Sequence, residues 1–253
     1  MENGGITYPE GFFASGVHSG IKRQKTNDLS LILSQSACIC AGTFTTNAFK
    51  SFSLLWSLKN IKNPIRAVLI NSGNANTCNG QDSRKNTKIL MEKLAALLRC
   101  ETQEVLFAST GIIGKQLPYE VILKALPALI GNLDIKNHTD AARGIMTTDR
   151  VIKECQLHTG IKGRKKDVFM GAMAKGSGMI NPSMATMLAF ITTDAVIDRE
   201  ALQTALKQAV EDSFNMITVD NDTSTNDMVV CLANGLAGNA TIHTNSIEYP
   251  VFV

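Results

Sequence analysis

The 253-residue sequence contains no run of 18 or more apolar residues, so nothing in it is expected to span a membrane as a helix. CxxC pairs are missing as well. Six cysteines stand at positions 38, 40, 78, 100, 155 and 231, a scatter expected of reduced, mostly buried thiols in a cytosolic protein. Cys38 and Cys40 would share one face of a strand, but no second His or Cys pair accompanies them, and no structural metal is expected. The opening residues Met1-Glu-Asn-Gly-Gly-Ile-Thr-Tyr8 have neither the basic nor the apolar stretch of a signal peptide, which again implies a cytoplasmic protein. Aromatic residues make up 6% of the chain. None lies near the single dense basic cluster, Lys162-Gly-Arg164-Lys165-Lys166. Nucleic-acid binding needs a basic stripe or a stacking platform, so this cluster reads as a solvated loop and no nucleic-acid partner is expected.

What is present is a globular composition, 44% hydrophobic and 19% charged with a net charge of +3. Residues 29–40 and 67–70 read as strands, the second short and buried. The tract Asn71-Ser-Gly-Asn-Ala-Asn-Thr-Cys-Asn-Gly80 breaks the periodicity and reads as a tight polar loop at a strand end. A helix capped by Asp82 or Ser83 follows, with Ile89, Leu90, Leu94, Leu97 and Leu98 on one face. Residues 105–108 form a further short strand. Pro118 opens another helix carrying Val121, Ile122 and Leu126, which Pro127 is expected to kink or end. Strands are expected at 168–173, 187–191 and 228–232. Asp198 caps the clearest helix, whose buried stripe is Leu202, Ala205, Leu206, Ala209 and Val210. Strands and helices alternate without a strict βαβ rhythm, so the fold class is mixed α/β, a layered α+β sandwich. The last residues, 248–253, offer no closing helix or strand and suggest a truncated product.

Chemistry concentrates in Lys175-Gly-Ser-Gly-Met-Ile-Asn-Pro-Ser-Met-Ala-Thr186. Glycines let the backbone approach closely, Pro182 keeps Asn181 out of helical geometry, and the small pair Ala185-Thr186 opens an apolar strand. A threonine hydroxyl held in such a turn can attack the carbonyl before it. Hydrolysis of the resulting ester would leave Thr186 with a free α-amine of pKa about 8, able to serve its own hydroxyl as base. By composition alone a threonine at a strand start is commonplace. Ser109-Thr-Gly-Ile-Ile-Gly114 follows a strand and precedes a helix, so its Thr hydroxyl and Gly amide can face developing negative charge. The same glycines would also permit a plain strand-to-helix turn or a phosphate cradle. Without Gly-Lys-Ser/Thr, however, the motif is no nucleotide-binding P-loop.

These segments resemble the ornithine acetyltransferase family, the bifunctional glutamate N-acetyltransferases of arginine biosynthesis. The resemblance runs through Gly11-Phe-Phe-Ala-Ser-Gly16, Gly20-Ile-Lys22, Asn71-Ser-Gly-Asn-Ala-Asn76, Ser109-Thr-Gly-Ile-Ile-Gly114 and Ile145-Met-Thr-Thr-Asp149. It continues in Met173-Ala-Lys-Gly-Ser-Gly-Met-Ile180, Met184-Ala-Thr-Met-Leu188, Thr192-Thr-Asp194, Ser213-Phe-Asn215 and Asp220-Asn-Asp-Thr-Ser-Thr-Asn-Asp227. It implies self-cleavage between Ala185 and Thr186 into an α chain, 1–185, and the start of a β chain, 186–253. It further implies Thr186 as nucleophile, Thr110 and Gly111 as oxyanion hole, and Lys175 with Thr147 or Thr148 as substrate contacts. An ammonium on a Gly-flanked loop suits the carboxylate of an amino-acid substrate.

The implied reaction moves acetyl from N-acetylornithine to glutamate without metal or organic cofactor. Some members also use acetyl-CoA, and the implied assembly is an α2β2 heterotetramer. The family's later Asp-Gly-Glu-Gly-Ala-Thr-Lys motif, with its substrate-binding glutamate, has no counterpart here. Three readings therefore fit the sequence: the acetyltransferase, an N-terminal-nucleophile amidohydrolase or aminopeptidase, and a truncated, inactive remnant.

Overall fold

The computed structural model describes residues 4–164, 166–179, 187–220 and 222–253. Ala185, Thr186 and Lys165 thus lie outside the described residues. Among the described residues eight strands are formed: Phe12–Val17 (β1), Leu29–Phe44 (β2), Ile65–Asn74 (β3), Val105–Ile112 (β4), Lys153–Lys162 (β5), Asp167–Lys175 (β6), Leu188–Thr193 (β7) and Met228–Ala233 (β8). Helices run over Phe52–Asn60 (α1), Asp82–Leu98 (α2), Tyr119–Gly131 (α3), His138–Ile145 (α4), Arg199–Glu211 (α5) and Tyr249–Phe252 (α6). Among the described residues no helix is long and apolar enough to cross a membrane.

The strands lie in the order β4-β3-β2-β8-β7-β6-β5, with β1 also paired to β2. β3/β4 and β7/β8 are parallel, and the remaining pairs are antiparallel. The long β2 joins two half-sheets. Residues 29–33 pair with β3, the register shifts between Leu33 and Cys38, and residues 39–44 pair with β8. Such an irregularity bends a strand, which lets one half-sheet face the other.

Side-chain alternation assigns the layers. Leu106 and Ala108 of β4, Val68 and Ile70 of β3, Phe190 of β7 and Val230 of β8 meet in one inner core, together with Ala141 and Ile145 of α4. The intervening residues face outward: Val105, Phe107, Ala67 and Leu69 pack on α2 and α3, and Ala189, Val229 and Cys231 pack on α5. The mixed α/β sandwich is thus helices, half-sheet, inner core, half-sheet, helix.

The strands read from sequence are all present, most of them longer than periodicity showed. α5 is capped by Asp198, whose carboxylate accepts the Ala201 N–H at 2.8 Å. Other expectations are corrected. Gln81, not Asp82 or Ser83, is the N-cap of α2, and the stripe that packs inward is Leu90, Met91, Leu94 and Ala95, with Leu97 38% exposed. Pro127 does not end α3. The helix continues to Gly131 because Leu126 and Leu129, on either side of it, are both anchored in the outer core. Residues 248–253 are not featureless: α6 forms, and Phe252 packs into the core beneath α5. All six cysteines are free, but Cys78 and Cys155 are exposed. Of the described residues of the basic cluster, Lys162 pairs with Asp167 and Lys166 with Glu10, and Lys166 Nζ also stands 5.4 Å from the centre of the Phe169 ring, so an aromatic does adjoin the cluster, contrary to expectation.

Candidate functional site

The inward-facing register of two strands builds the site. Along β4, Leu106 and Ala108 face the inner core and Thr110 follows at the same spacing; along β6, Met173 does so and Lys175 follows. At these strand ends the apolar layer gives way to polar side chains. Lys175 is 3% exposed, and its Nζ donates to Thr110 Oγ1 at 3.0 Å. A hydroxyl that accepts this bond keeps its own proton to donate elsewhere. Burial lowers the Lys175 pKa, while the Asp149 and Asp227 carboxylates oppose that shift.

Asp149 ties the Thr147-Thr148 turn to the end of β6. It accepts from Gly176 N–H at 2.9 Å, Lys153 Nζ at 2.6 Å and Thr147 N–H at 3.3 Å. Burial would raise its pKa, but these hydrogen bonds outweigh it and hold the carboxyl below the ordinary range. Thr147 and Thr148 are themselves exposed beside this anchor.

Gly111 occupies a crossing that admits no side chain. It pairs with Gly73 across the parallel β3/β4 ladder at a φ of +130°. A Cβ placed there would lie 2.5 Å from the Gly73 carbonyl carbon and 2.6 Å from the Asn74 nitrogen. Two features differ from the sequence reading. Thr110 and Gly111 belong to β4 itself, and the next helix starts only at Tyr119, so any oxyanion donors here come from a strand end without a helix terminus behind them. The asparagine tract is a strand as far as Asn74, and its amides are engaged with the protein itself. Asn71 Oδ1 accepts from Ser109 Oγ at 2.6 Å, and Asn74 Nδ2 donates to the Lys115 and Gln116 carbonyls at 3.2 and 3.0 Å.

Ala185 and Thr186, the expected cleavage pair, fall outside the described residues; the chain immediately after them is anchored to both halves of the site. Asp227 Oδ1 accepts the Met187 N–H at 3.0 Å, and Leu188 pairs with Lys175 on one side and Met228 on the other. Asp149, Asn226 and Asp227 had no individual role in the sequence reading. Their only signal was membership in the motifs Ile145–Asp149 and Asp220–Asp227, which otherwise look like solvated loops.

The mixed α/β sandwich that carries this buried lysine–threonine pair is an architecture that solved structures share. The l-aminopeptidase d-ala-esterase/amidase of Ochrobactrum anthropi, a variant of the Ntn hydrolase fold, matches 91% of this chain and 74% of its own, with a TM-score of 0.57 and 8% identity, a likeness of fold alone. Closer in sequence is the ornithine acetyltransferase of Mycobacterium tuberculosis, solved in complex with ornithine: 34% identical, TM-score 0.65, covering 72% of this chain and 97% of that one. Arginine biosynthesis bifunctional protein ArgJ 1 of Clostridium acetobutylicum is 46% identical over all of this chain. The ArgJ family model matches residues 13–251, and the chain belongs to the ArgJ family. It spans 62% of the length of the Clostridium relative and 59% of the Thermotoga neapolitana ArgJ protein, which is 48% identical.

Proposed function

We propose that the chain cuts itself between Ala185 and Thr186, and that Thr186, as a new N-terminus, carries an acetyl group from N-acetylornithine to glutamate. The observation that carries this reading is the Lys175–Thr110 hydrogen bond of 3.0 Å, formed on a strand whose ladder partner Leu188 lies two residues past Thr186. In this mechanism the α-amine of Thr186 takes the proton of its own hydroxyl, and Oγ attacks the acetyl carbonyl carbon. The Thr110 hydroxyl and Gly111 amide stabilise the tetrahedral oxyanion. The amide C–N bond then breaks, the proton passes to the departing ornithine amine, and an acetyl-threonine ester remains. The amine of glutamate attacks that ester by the reverse route and restores the free hydroxyl. Lys175 and the Thr147-Thr148 turn would hold a substrate carboxylate.

The ArgJ relatives and the ornithine-bound enzyme support the choice of substrates. Supporting the cleavage, the ornithine acetyltransferase chain and an ArgJ chain from Bacillus halodurans are matched over 97% and 96% of their lengths yet cover 72% and 74% of this one. Each is a shorter polypeptide, close to the length of residues 1–185. The reading extends to a cytoplasmic assembly of two α and two β pieces, with acetyl-CoA as a second candidate donor.

Intact mass and a denaturing gel test the cleavage: two pieces are expected from the wild type and one from Thr186→Ala. A single uncut chain in soluble, folded wild-type material would overturn self-processing. Incubation with N-acetylornithine, with and without glutamate, tests the transfer. Formation of N-acetylglutamate is expected; release of acetate alone would favour an amidohydrolase.

A further inference from the structure

Between α5 and β8 the chain passes through the Asp220–Asp227 motif, and its last two residues reach both halves of the site. Asn226 Nδ2 donates to the Ser109 carbonyl at 2.8 Å and the Ala75 carbonyl at 2.7 Å, and so holds the residue preceding Thr110. Asp227 Oδ1 accepts the N–H of Met187, the residue following Thr186. Both side chains are buried. Their own backbone is held in turn: Asp227 O accepts from Thr45 N–H at 3.0 Å, and Thr225 O from Ser51 N–H at 3.1 Å. Upstream, Asp220 Oδ2 accepts the Met179 N–H at 2.7 Å, on the far side of the same junction.

We propose that Asn226 and Asp227 are a pair of positioning residues that set the placement of the oxyanion strand relative to Met187 and the strand Leu188–Thr193 that follows it. The proposal rests on the self-processing reading above. In that reaction Thr186 Oγ attacks the Ala185 carbonyl carbon, and the Ala185–Thr186 C–N bond breaks. The nitrogen leaves as the Thr186 amine carrying the hydroxyl's proton. Water then splits the ester, giving the Ala185 carboxylate and the free hydroxyl. Asp227 takes no part in these transfers. It holds the uncut Thr186–Met187 peptide, while Asn226 holds the strand bearing the oxyanion donors. Reacting groups misplaced by about 1 Å lose roughly a hundredfold in rate, so a rigid two-residue link between the halves has direct kinetic consequence.

Asp227 carries a signature that a purely structural residue would not move. Its Oδ2 is buried with no hydrogen-bond partner in good geometry among the described residues, although the Ser224 and Thr45 hydroxyls stand close enough to favour the charged form. Burial pushes its pKa up to about 7 against the Met187 N–H, those hydroxyls and the Lys175 ammonium, the charged group facing it. The carboxylate that grips Met187 N–H most strongly therefore forms across neutral pH.

The test follows conversion of the full 253-residue chain into two pieces by intact mass, between about pH 6 and pH 9, for wild type, Asp227→Asn and Asn226→Ala. The wild-type rate is expected to rise through a midpoint near that pKa. Asp227→Asn, with unchanged circular dichroism, is expected to process about tenfold or more slowly and to lose the midpoint. Folded Asn226→Ala is expected to slow similarly while keeping it. Should Asn226→Ala not fold, the conservative Asp227→Asn decides the question by itself. Asp227→Asn processing at the wild-type rate with the wild-type pH profile overturns the positioning role alone. A folded wild type that never processes overturns both this proposal and the reading beneath it.

Discussion

Lys175 shows how a single residue trades stability for chemistry. Its ammonium is withdrawn from water at a cost that lowers its pKa, and the Thr110 hydroxyl with the Asp149 and Asp227 carboxylates offsets that cost only in part. Methionine has a similar length and no charge to desolvate. Lys175→Met is therefore expected to melt at the same temperature as wild type or higher. Its acetyl transfer is expected to fall by about a hundredfold or more, because Thr110 loses the donor that orients its hydroxyl. Thermal melting and an N-acetylglutamate assay read the two effects separately; a lower melting temperature with transfer retained would make Lys175 structural. Thr110 and Lys175 were both legible in the sequence, since each stands out among glycines at a strand end. Asp227 was not. A carboxylate closing a run of Asp, Asn, Ser and Thr looks solvated until the fold buries it against Met187.

At the scale of elements, the β3/β4 crossing is the tightest constraint near the site. Gly111→Ala would combine a φ of +130° with a Cβ 2.5 Å from backbone atoms that cannot swing aside. A destabilisation on the order of 3 kcal/mol is expected from strain and overpacking together. Gly114 is the control. Its φ of +79° also disfavours a side chain, but the nearest atom to an added Cβ is 4.0 Å away, and Gly114→Ala is expected to cost about 1 kcal/mol. Urea unfolding of both variants gives the comparison, and equal losses would remove the close approach as the cause. The sequence marked these glycines as turn formers. Whether a Gly-rich tract turns or continues as a strand depends on the neighbouring strand, and here Gly73 faces Gly111 in the parallel ladder.

Over the whole molecule, the two pieces expected from cleavage are woven together. β7 lies between β6 and β8, and β8 lies between β7 and β2, so both strands that follow Thr186 pair with strands that precede it. Phe190 and Val230 from the later piece share the inner core with Leu106, Val68 and Ile145 from the earlier one. The cleaved protein is accordingly expected to elute as one species on gel filtration in native buffer and to separate only in denaturant. Elution of residues 1–185 apart from 186–253 without denaturant would contradict this arrangement.

The sequence by itself determined the local elements with strong period or clear caps: the apolar strands later seen as β2, β3, β4, β7 and β8, and the helix opened by Asp198. It also marked the family to which the chain belongs, since ordered motifs along nearly its whole length identify a relative without any knowledge of contacts. β1, β5, α1 and α4 escaped it. β5 and α4 carry polar or half-exposed side chains, and β1 and α1 mix Phe, Leu and Trp with Ser, Ala and Gly over only 6 and 9 residues, so their neighbours select the conformation. The same holds for the site. Thr110 and Lys175 stand 65 residues apart in the chain, and Asn226 is 117 residues from the Ser109 carbonyl it holds. Only the bend in β2, which turns one half-sheet across the other, brings them within hydrogen-bonding distance.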